Sequence, residues 1–462
     1  MKLKFKCVLS VLTAVAVSCL SGCSLPWFSS SGSLMHPPNA TGDKAEIQKA
    51  IETRSGGEYV LKYPQSGENR SSIIMRDLNN DEVEEAVAML TVNPDTELAE
   101  THIYIIEKID GKWKVQADFK NRNNDIDSVD FGDVNGDGTT DILVGWSTYS
   151  VNQNELYCYL FGDEIKEVNT KRTYTNMSVG DFTNEGKSTV MTVSLASADT
   201  SSVARLLTFN DNGSVVDYET AMDSDITKFV SVKIGQVDNE VQGAFVDGLN
   251  SENRYNTQLL FFDKKSKSLQ NPIYKRSDNG VLATARDVST VCRDMDNDGV
   301  IEIPITAKLP YPRTENAKNY AYQTSWSSFD IAKNRFAVKS NVIINGNYGY
   351  SITIPDNWLN KYTASYNGDS SVLTISTAEK VNNTNYCNIG DTVVTYIATA
   401  KESWTGLGTK KGFTKMMDFG AYSYGYRMGE KPPKEFTEKE AEEYFVPREE
   451  DSKVAVAPTE VS

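Results

Sequence analysis

The sequence predicts a mainly β chain, a β-propeller of about five four-stranded blades followed by a small C-terminal α+β domain. Three observations predict it. A short acidic loop recurs five times between Arg76 and Glu302, a hairpin signal follows each copy, and the repeat texture ends near residue 338. The first loop position falls at 77, 133, 181, 236 and 294, in steps of 56, 48, 55 and 58 residues. Self-similarity at such a period marks a repeat architecture, whose units stack to bury a continuous core.

The loop itself carries a recognisable chemistry. Oxygen ligands at alternating positions of a tight turn converge on one point, which suits a hard cation such as calcium. In "GDVNGDGTTDILVGW" (132–146), Asp133, Asn135, Asp137 and Asp141 stand at positions 1, 3, 5 and 9. Gly138 permits the turn at position 6, and Thr139 offers its carbonyl at position 7. In "RDMDNDGVIEIPIT" (293–306) the same roles fall to Asp294, Asp296, Asp298 and Glu302, with Gly299 at the turn and Val300 as the carbonyl. The first copy, "RDLNNDEVEEAVAML" (76–90), offers Asp77, Asn79, Asp81, Val83 and Glu85, with Glu82 replacing the glycine. The third keeps Asp181 and Glu185 but has Thr183 and Thr189. The fourth has Gln236 and Ala244 at its ends, and no ion is expected there.

Two other readings of the loop are open. An EF-hand needs a bidentate glutamate at position 12 and a helix on each side. Position 12 is Val144 in the second copy and Ile305 in the fifth, and both loops run into strand-like segments. The second reading is an acidic turn that holds no metal.

After each loop the chain alternates apolar residues and then meets another turn. "THIYIIEKIDGKWKVQADF" pairs two such runs across Asp110-Gly111, and "LYCYLFGDEIKEVNT", "LLTFNDNGSVVDYE", "LLFFDKKSKSLQNPIY" and "SFDIAKNRFAVKS" do the same later. Each unit thus reads strand, acidic loop, strand, strand, hairpin, strand, which is the content of a propeller blade. This pattern resembles FG-GAP or VCBS repeats over residues 72–338. The resemblance implies an acidic loop between the first two strands of each blade, holding calcium. Five units suffice to close a propeller, with "GGEYVLKYP" as a candidate closing strand.

The ends give the address. Lys2, Lys4 and Lys6 precede a short apolar run that ends in Leu20-Ser21-Gly22-Cys23, the form of a secretory leader over residues 1–22. Leu-Ser-Gly-Cys resembles the bacterial lipobox, which implies lipidation of Cys23 and a location on the extracytoplasmic face of the bacterial cell membrane. Residues 23–42 form a flexible tether rich in Ser, Pro and Gly, and 43–71 hold a short helix and a leading strand. Thr41 or Asp43 is a candidate cap for that helix, which ends at Gly56-Gly57. The α+β domain is placed at 339–446, opening with "NYGYSITIPDNW", and a disordered acidic tail at 447–462. Its opening is similar to small domains of the PsbP type. In "AYSYGYR" half of the tyrosines are expected to face a core, and the others read as cross-strand packing or, alternatively, as a binding surface. The domain order as a whole resembles uncharacterised bacterial lipoproteins.

Composition excludes several functions. The formal charge is −16, or −19 once the leader removes three lysines, which disfavours nucleic acid as a partner. With Cys23 lipidated, Cys158, Cys292 and Cys387 remain, scattered and odd in number, and are expected as buried hydrophobes. Only His36 and His102 could serve a histidine-based mechanism, and no G-x-S-x-G elbow is present. No enzymatic activity is expected. The favoured reading is a membrane-anchored, calcium-stabilised binding or scaffold module for an envelope protein or glycan. The alternatives are a glycan hydrolase working through paired carboxylates and a purely structural envelope protein.

Overall fold

The computed structural model describes residues 42–455 apart from 122–124, 151, 275–282, 383 and 435. The leader, Cys23, Thr41, His36, nearly all of the tether and residues 456–462 lie outside the described residues. The fold is mainly β, with 51% strand and 10% helix. Among the described residues, no helix is long and apolar enough to cross a membrane.

A helix, α1 (Asp43–Ser55), opens the described chain. Its Gly56 cap is left-handed (φ 63°) and donates its N–H to Glu52. The expected Asp43 cap is not made. Gly42 holds the cap position, while the Asp43 carboxylate accepts from Lys108 (2.8 Å) and Trp113 (3.2 Å).

Four antiparallel sheets follow in sequence order. The first holds β1 (Tyr59–Leu61), β2 (Ile73–Arg76), β3 (Glu85–Val92), β4 (Glu100–Ile109) and β5 (Lys112–Asn121). The second holds β6 (Ile126–Gly132), β7 (Asp141–Ser147), β8 (Asn154–Leu160) and β9 (Lys166–Tyr174). The third is β10 (Asn176–Gly180), β11 (Thr189–Ser194), β12 (Val203–Phe209) and β13 (Val215–Ala221). The fourth is β14 (Ile226–Gln236), β15 (Gln242–Asn250), β16 (Tyr255–Asp263) and β17 (Ser268–Gln270). In all four, the acidic loop joins the edge strand to its neighbour. The β4–β5 turn places Asp110 and Gly111 both at positive φ (51° and 73°), the geometry that suits the twist of a two-residue hairpin.

In these four sheets the strand after the loop is buried on both faces along most of its length, which is why β3 and β7 read as near-continuous apolar runs. All eight residues of β3 are buried. Ala86, Ala88 and Leu90 face Ile47 and Ile51 of α1, whereas Val87 and Met89 meet Ile142, Val144 and Trp146 of β7. Leu143 points the other way, toward Val190 and Leu207 of the third sheet. Met191 and Val193 then meet Ala244 and Val246, and Phe245 meets Ile301 and Ile303. Each Val, Leu, Ile, Met or Phe among these contributes roughly 1.5–3 kcal/mol on burial, and the alanines less.

The fifth unit departs from expectation. Its sheet holds β18 (Ile303–Lys308), β19 (Tyr322–Asp330), β20 (Arg335–Asn345) and β21 (Tyr350–Thr353), with no strand of that sheet before the acidic loop among the described residues. Residues 283–292 pack instead on the fourth sheet around Arg286, whose guanidinium is wholly buried against Asp247 at 2.8 Å. Arg286 also donates to the carbonyls of Thr284 (3.0 Å) and Thr290 (2.8 and 2.6 Å) and to the Thr257 hydroxyl (2.9 Å). The Cys292 N–H donates to the other Asp247 oxygen at 2.8 Å. A segment committed to this network offers no ladder to β18.

The boundary expected between 338 and 339 falls inside β20, which continues without a break and pairs through Val342–Asn345 with β21. The opening of the expected α+β domain is therefore part of the fifth sheet. A sixth sheet follows, of β22 (Tyr362–Tyr366), β23 (Val372–Lys380), β24 (Cys387–Ala400), β25 (Thr414–Phe419) and β26 (Tyr422–Met428), with a short helix, α2 (Glu438–Glu443). One apolar cluster spans Ile343, Tyr350 and Ile352 of the fifth sheet, Ala364, Ile375 and Tyr396 of the sixth, and Phe445. Tyr422, Tyr424 and Tyr426 all pack on it, because residues two apart share a strand face. None is left to form a separate surface.

The tail corrects a second expectation. β27 (Phe445–Pro447) pairs with β21, and Glu450–Lys453 form a 3-10 turn whose Asp451 is completely buried. Residues 447–455 are thus part of the folded structure, held by contacts too distant in sequence for a local pattern to reveal.

The apolar clusters link the sheets in order, first to second through fifth to sixth. Among the described residues none joins the first sheet to the fifth, whose outer faces are covered by α1 and by the sixth sheet. The candidate closing strand, β1, pairs instead with the far half of β3 (Tyr59 opposite Val92).

Candidate metal centres

The loops share a backbone scaffold built by their own polar side chains. At position 1, Asp77, Asp133, Asp181 and Asp294 each accept the N–H of position 6, at 3.0, 2.9, 2.8 and 3.0 Å. At position 5, Asp81, Asp137 and Asp298 accept the N–H of Val83, Thr139 and Val300, at 2.8, 2.8 and 2.9 Å. Position 9 reaches back to position 2: Glu85 to Leu78 (2.8 Å), Asp141 to Val134 (2.9 Å) and Glu302 to Met295 (2.8 Å). Thr189 makes the weaker version at 3.2 Å. In the fourth loop the Val237 N–H goes to the Val241 carbonyl, so no acidic position 9 is needed.

Backbone conformation explains the small residues. Gly138, Gly186 and Gly299 stand at φ 90°, 84° and 89°, and Glu82 adopts φ 70° in the first loop. Position 4 is left-handed too, at Asn80, Gly136, Asn184 and Asn297. That second demand is readable in the sequence, since Asn and Gly tolerate this region best.

The fifth loop gathers its ligands most closely. Asp294, Asp296 and Glu302 each present an oxygen within 4.8 Å of the others. Glu302 is wholly buried, and its Oε1 has no hydrogen-bond partner; the same holds for Asp294 Oδ1. A buried carboxylate oxygen without a donor is costly, and a cation at this point would satisfy it. Burial, with Asp296, Asp298 and Asp294 adding repulsion, pushes Glu302 up to about 7. Asp298, the fourth expected ligand, stands apart: it accepts from Lys339 at 3.0 Å. The Val300 N–H and Lys339 hold Asp298 below the usual carboxylate range.

The other two loops are less open. Asp141 uses both oxygens on backbone N–H groups, Val134 and Phe161 (2.9 Å each), and burial pushes it up to about 6. Asn135 donates to Asp137 at 2.7 Å, and the Thr139 hydroxyl lies 2.6 Å from Asp137. In the first loop Asp77 Oδ1 lacks a partner, and burial raises Glu85, helped by Asp81, Glu107 and Asp77. Glu107, on β4, is an acid that the loop motif did not include. It is the acid in the otherwise apolar run "IYIIE", and that signal could have found it.

Adjacent loops are bonded to one another. The Thr140 N–H donates to the Leu78 carbonyl (2.7 Å), Ser188 to Asp133 (2.7 Å) and Ile301 to Gln236 (3.0 Å), while the Asn80 side chain reaches the Gly138 carbonyl.

The described histidine and cysteines, which nucleophilic catalysis would call on, are otherwise engaged. His102 lies 2.6 Å from Asp118, which also pairs with Arg54, and among the described residues no hydroxyl or thiol bonds to the imidazole. Cys158, Cys292 and Cys387 are free and buried, and burial raises all three thiols. Such thiols are poor nucleophiles. No protein-family model and no curated protein matches this chain.

Proposed function

We propose that this chain is a calcium-stabilised binding or scaffold module, built from FG-GAP/VCBS-like propeller blades and tethered by lipid on Cys23 to the extracytoplasmic face of a bacterial membrane. The blades form an open row instead of a closed ring, with α1 and the sixth sheet as end caps. The observation that carries the calcium reading is the fifth loop, where Glu302 Oε1 and Asp294 Oδ1 are buried without donors beside Asp296. Support for the blade reading comes from antiparallel sheets of one order, each entered through the same loop. The lipid tether rests on Leu20-Ser21-Gly22-Cys23. An envelope protein or glycan is the proposed ligand, because loops on a rigid frame suit recognition. A groove of about 640 Å³ beside the first two loops, lined by Asn79, Glu107, Gln116, Thr139, Asp163 and Glu164, offers one polar concave surface.

Calorimetric titration of the soluble chain with calcium tests the reading. Binding is expected at about 10⁻⁴–10⁻³ M, the range of extracellular modules, with the fifth-loop increment lost in Glu302→Gln and retained in Asp238→Asn. Heat that is identical in Glu302→Gln and in the unaltered chain would remove the fifth loop from the account.

A further inference from the structure

The C-terminal segment touches the backbone that holds the fifth-loop ligands. Two residues of that loop position Glu302. Arg293 exchanges two backbone hydrogen bonds with it (3.2 and 3.0 Å), and the Met295 N–H donates to its Oε2 (2.8 Å). Both are gripped from 150 residues away in the chain. The Arg293 guanidinium pairs with Asp451, whose side chain is completely buried, and lies over the Trp326 ring at 4.9 Å. Arg448 donates to the Met295 carbonyl at 3.1 Å. The segment is anchored on both sides of these contacts. The Arg448 N–H donates to Gly349 (3.0 Å), and Ser289 and Ala455 exchange hydrogen bonds of 2.8 and 2.7 Å.

We propose that residues 445–455 are an integral strap of the fifth-loop cation site, with Arg448 and Asp451 as positioning residues, so that cation binding and strap docking stabilise each other. The proposal rests on the cation reading of that loop. Its physical basis is short: an ion draws Asp294, Asp296 and Glu302 inward, Glu302 moves with the Arg293 and Met295 backbone, and the strap fixes both. Coupling of this kind is reciprocal. Among the described residues the first and second loops share no contact of this type with the strap, so their affinity is expected to be independent of it.

The test is calorimetric titration with calcium alone, using the full chain without its leader. In a background carrying Asp81→Ala and Asp137→Ala, only the fifth loop remains competent. Adding Arg448→Ala or Asp451→Asn there is expected to weaken calcium binding about 10- to 100-fold, as loss of groups that orient ligands does. In a background carrying Glu302→Gln, the same strap substitutions should leave the first and second loops unchanged. Unchanged affinity in the first background, or an equal loss in both, overturns the proposal. If the first background takes up no calcium at all, the cation reading falls and the coupling with it; uptake with unaltered affinity overturns the coupling alone. Should the strap variants fail to fold, hydrogen exchange on the unaltered chain decides. Calcium is expected to slow exchange at the Arg448 and Ala455 amides, and unchanged exchange there overturns the proposal.

Discussion

At the scale of single residues, the fifth loop stores its chemistry in one side chain. Glu302 is held at about 7, against 4.5 for the free group, because it is buried among Asp294, Asp296 and Asp298. A carboxyl group that binds its proton more tightly when folded stabilises the fold below the unfolded pKa and loses that contribution as pH rises through the folded one. In the cation-free protein the loss spans pH 4.5 to about 7 and is on the order of 3 kcal/mol at most. Asp141 adds the same sign between 3.8 and about 6. Glu302→Gln, neutral and of the same shape, should therefore be more stable than the unaltered chain in chelator at pH 8 and nearly equal to it at pH 5. With calcium at pH 8 the order should invert. Urea denaturation at both pH values reads this directly, and a variant difference that does not change with pH in chelator would contradict it.

At the scale of elements, the fifth unit shows where local pattern and fold diverge. The acidic loops and hairpins were legible, because a turn glycine, an alternating acid or an Asp-Gly pair acts within a few residues. The missing first strand of the fifth unit was not. Residues 283–292 are drawn to the fourth sheet by Arg286 and Asp247, 39 positions apart, and nothing near Arg286 in sequence announces that pairing. The pair is fully satisfied, so removing one partner leaves a buried charge. Arg286→Met or Asp247→Leu should each cost about 3–5 kcal/mol, whereas the two combined should cost clearly less than the sum. Chemical denaturation of the two singles and the double checks this, and simple additivity would show that the charges do not interact as described.

At the scale of the whole molecule, the apolar clusters among the described residues link the sheets in sequence order, from α1 to the sixth sheet. Repeat arrays need polar caps on their terminal units, and α1 supplies one through Ile47 and Ile51, 2% and 1% exposed. The helix was legible from its apolar spacing and closing glycines. Its role as an end cap was not, because a period of about 50 residues is equally compatible with a ring. The boundary inside β20 and the docked tail escaped for a related reason: each is fixed by sheet partners far along the chain. Ile47→Asp should unseat the helix and expose Ala86, Ala88, Leu90 and Tyr104, so that the variant self-associates. Sedimentation reads the outcome, and a monomer of unaltered stability would show that the first sheet needs no cap.

Cations in these loops are proposed to hold the sheets together, and the melting temperature tests that most directly. An ion at 100-fold its dissociation constant adds roughly 2.7 kcal/mol per site. The chain without its leader should melt distinctly higher in calcium than in chelator, with most of that gap removed by Asp137→Ala combined with Glu302→Gln and none of it by Asp238→Asn. Superimposable melting curves in calcium and in chelator would contradict the account.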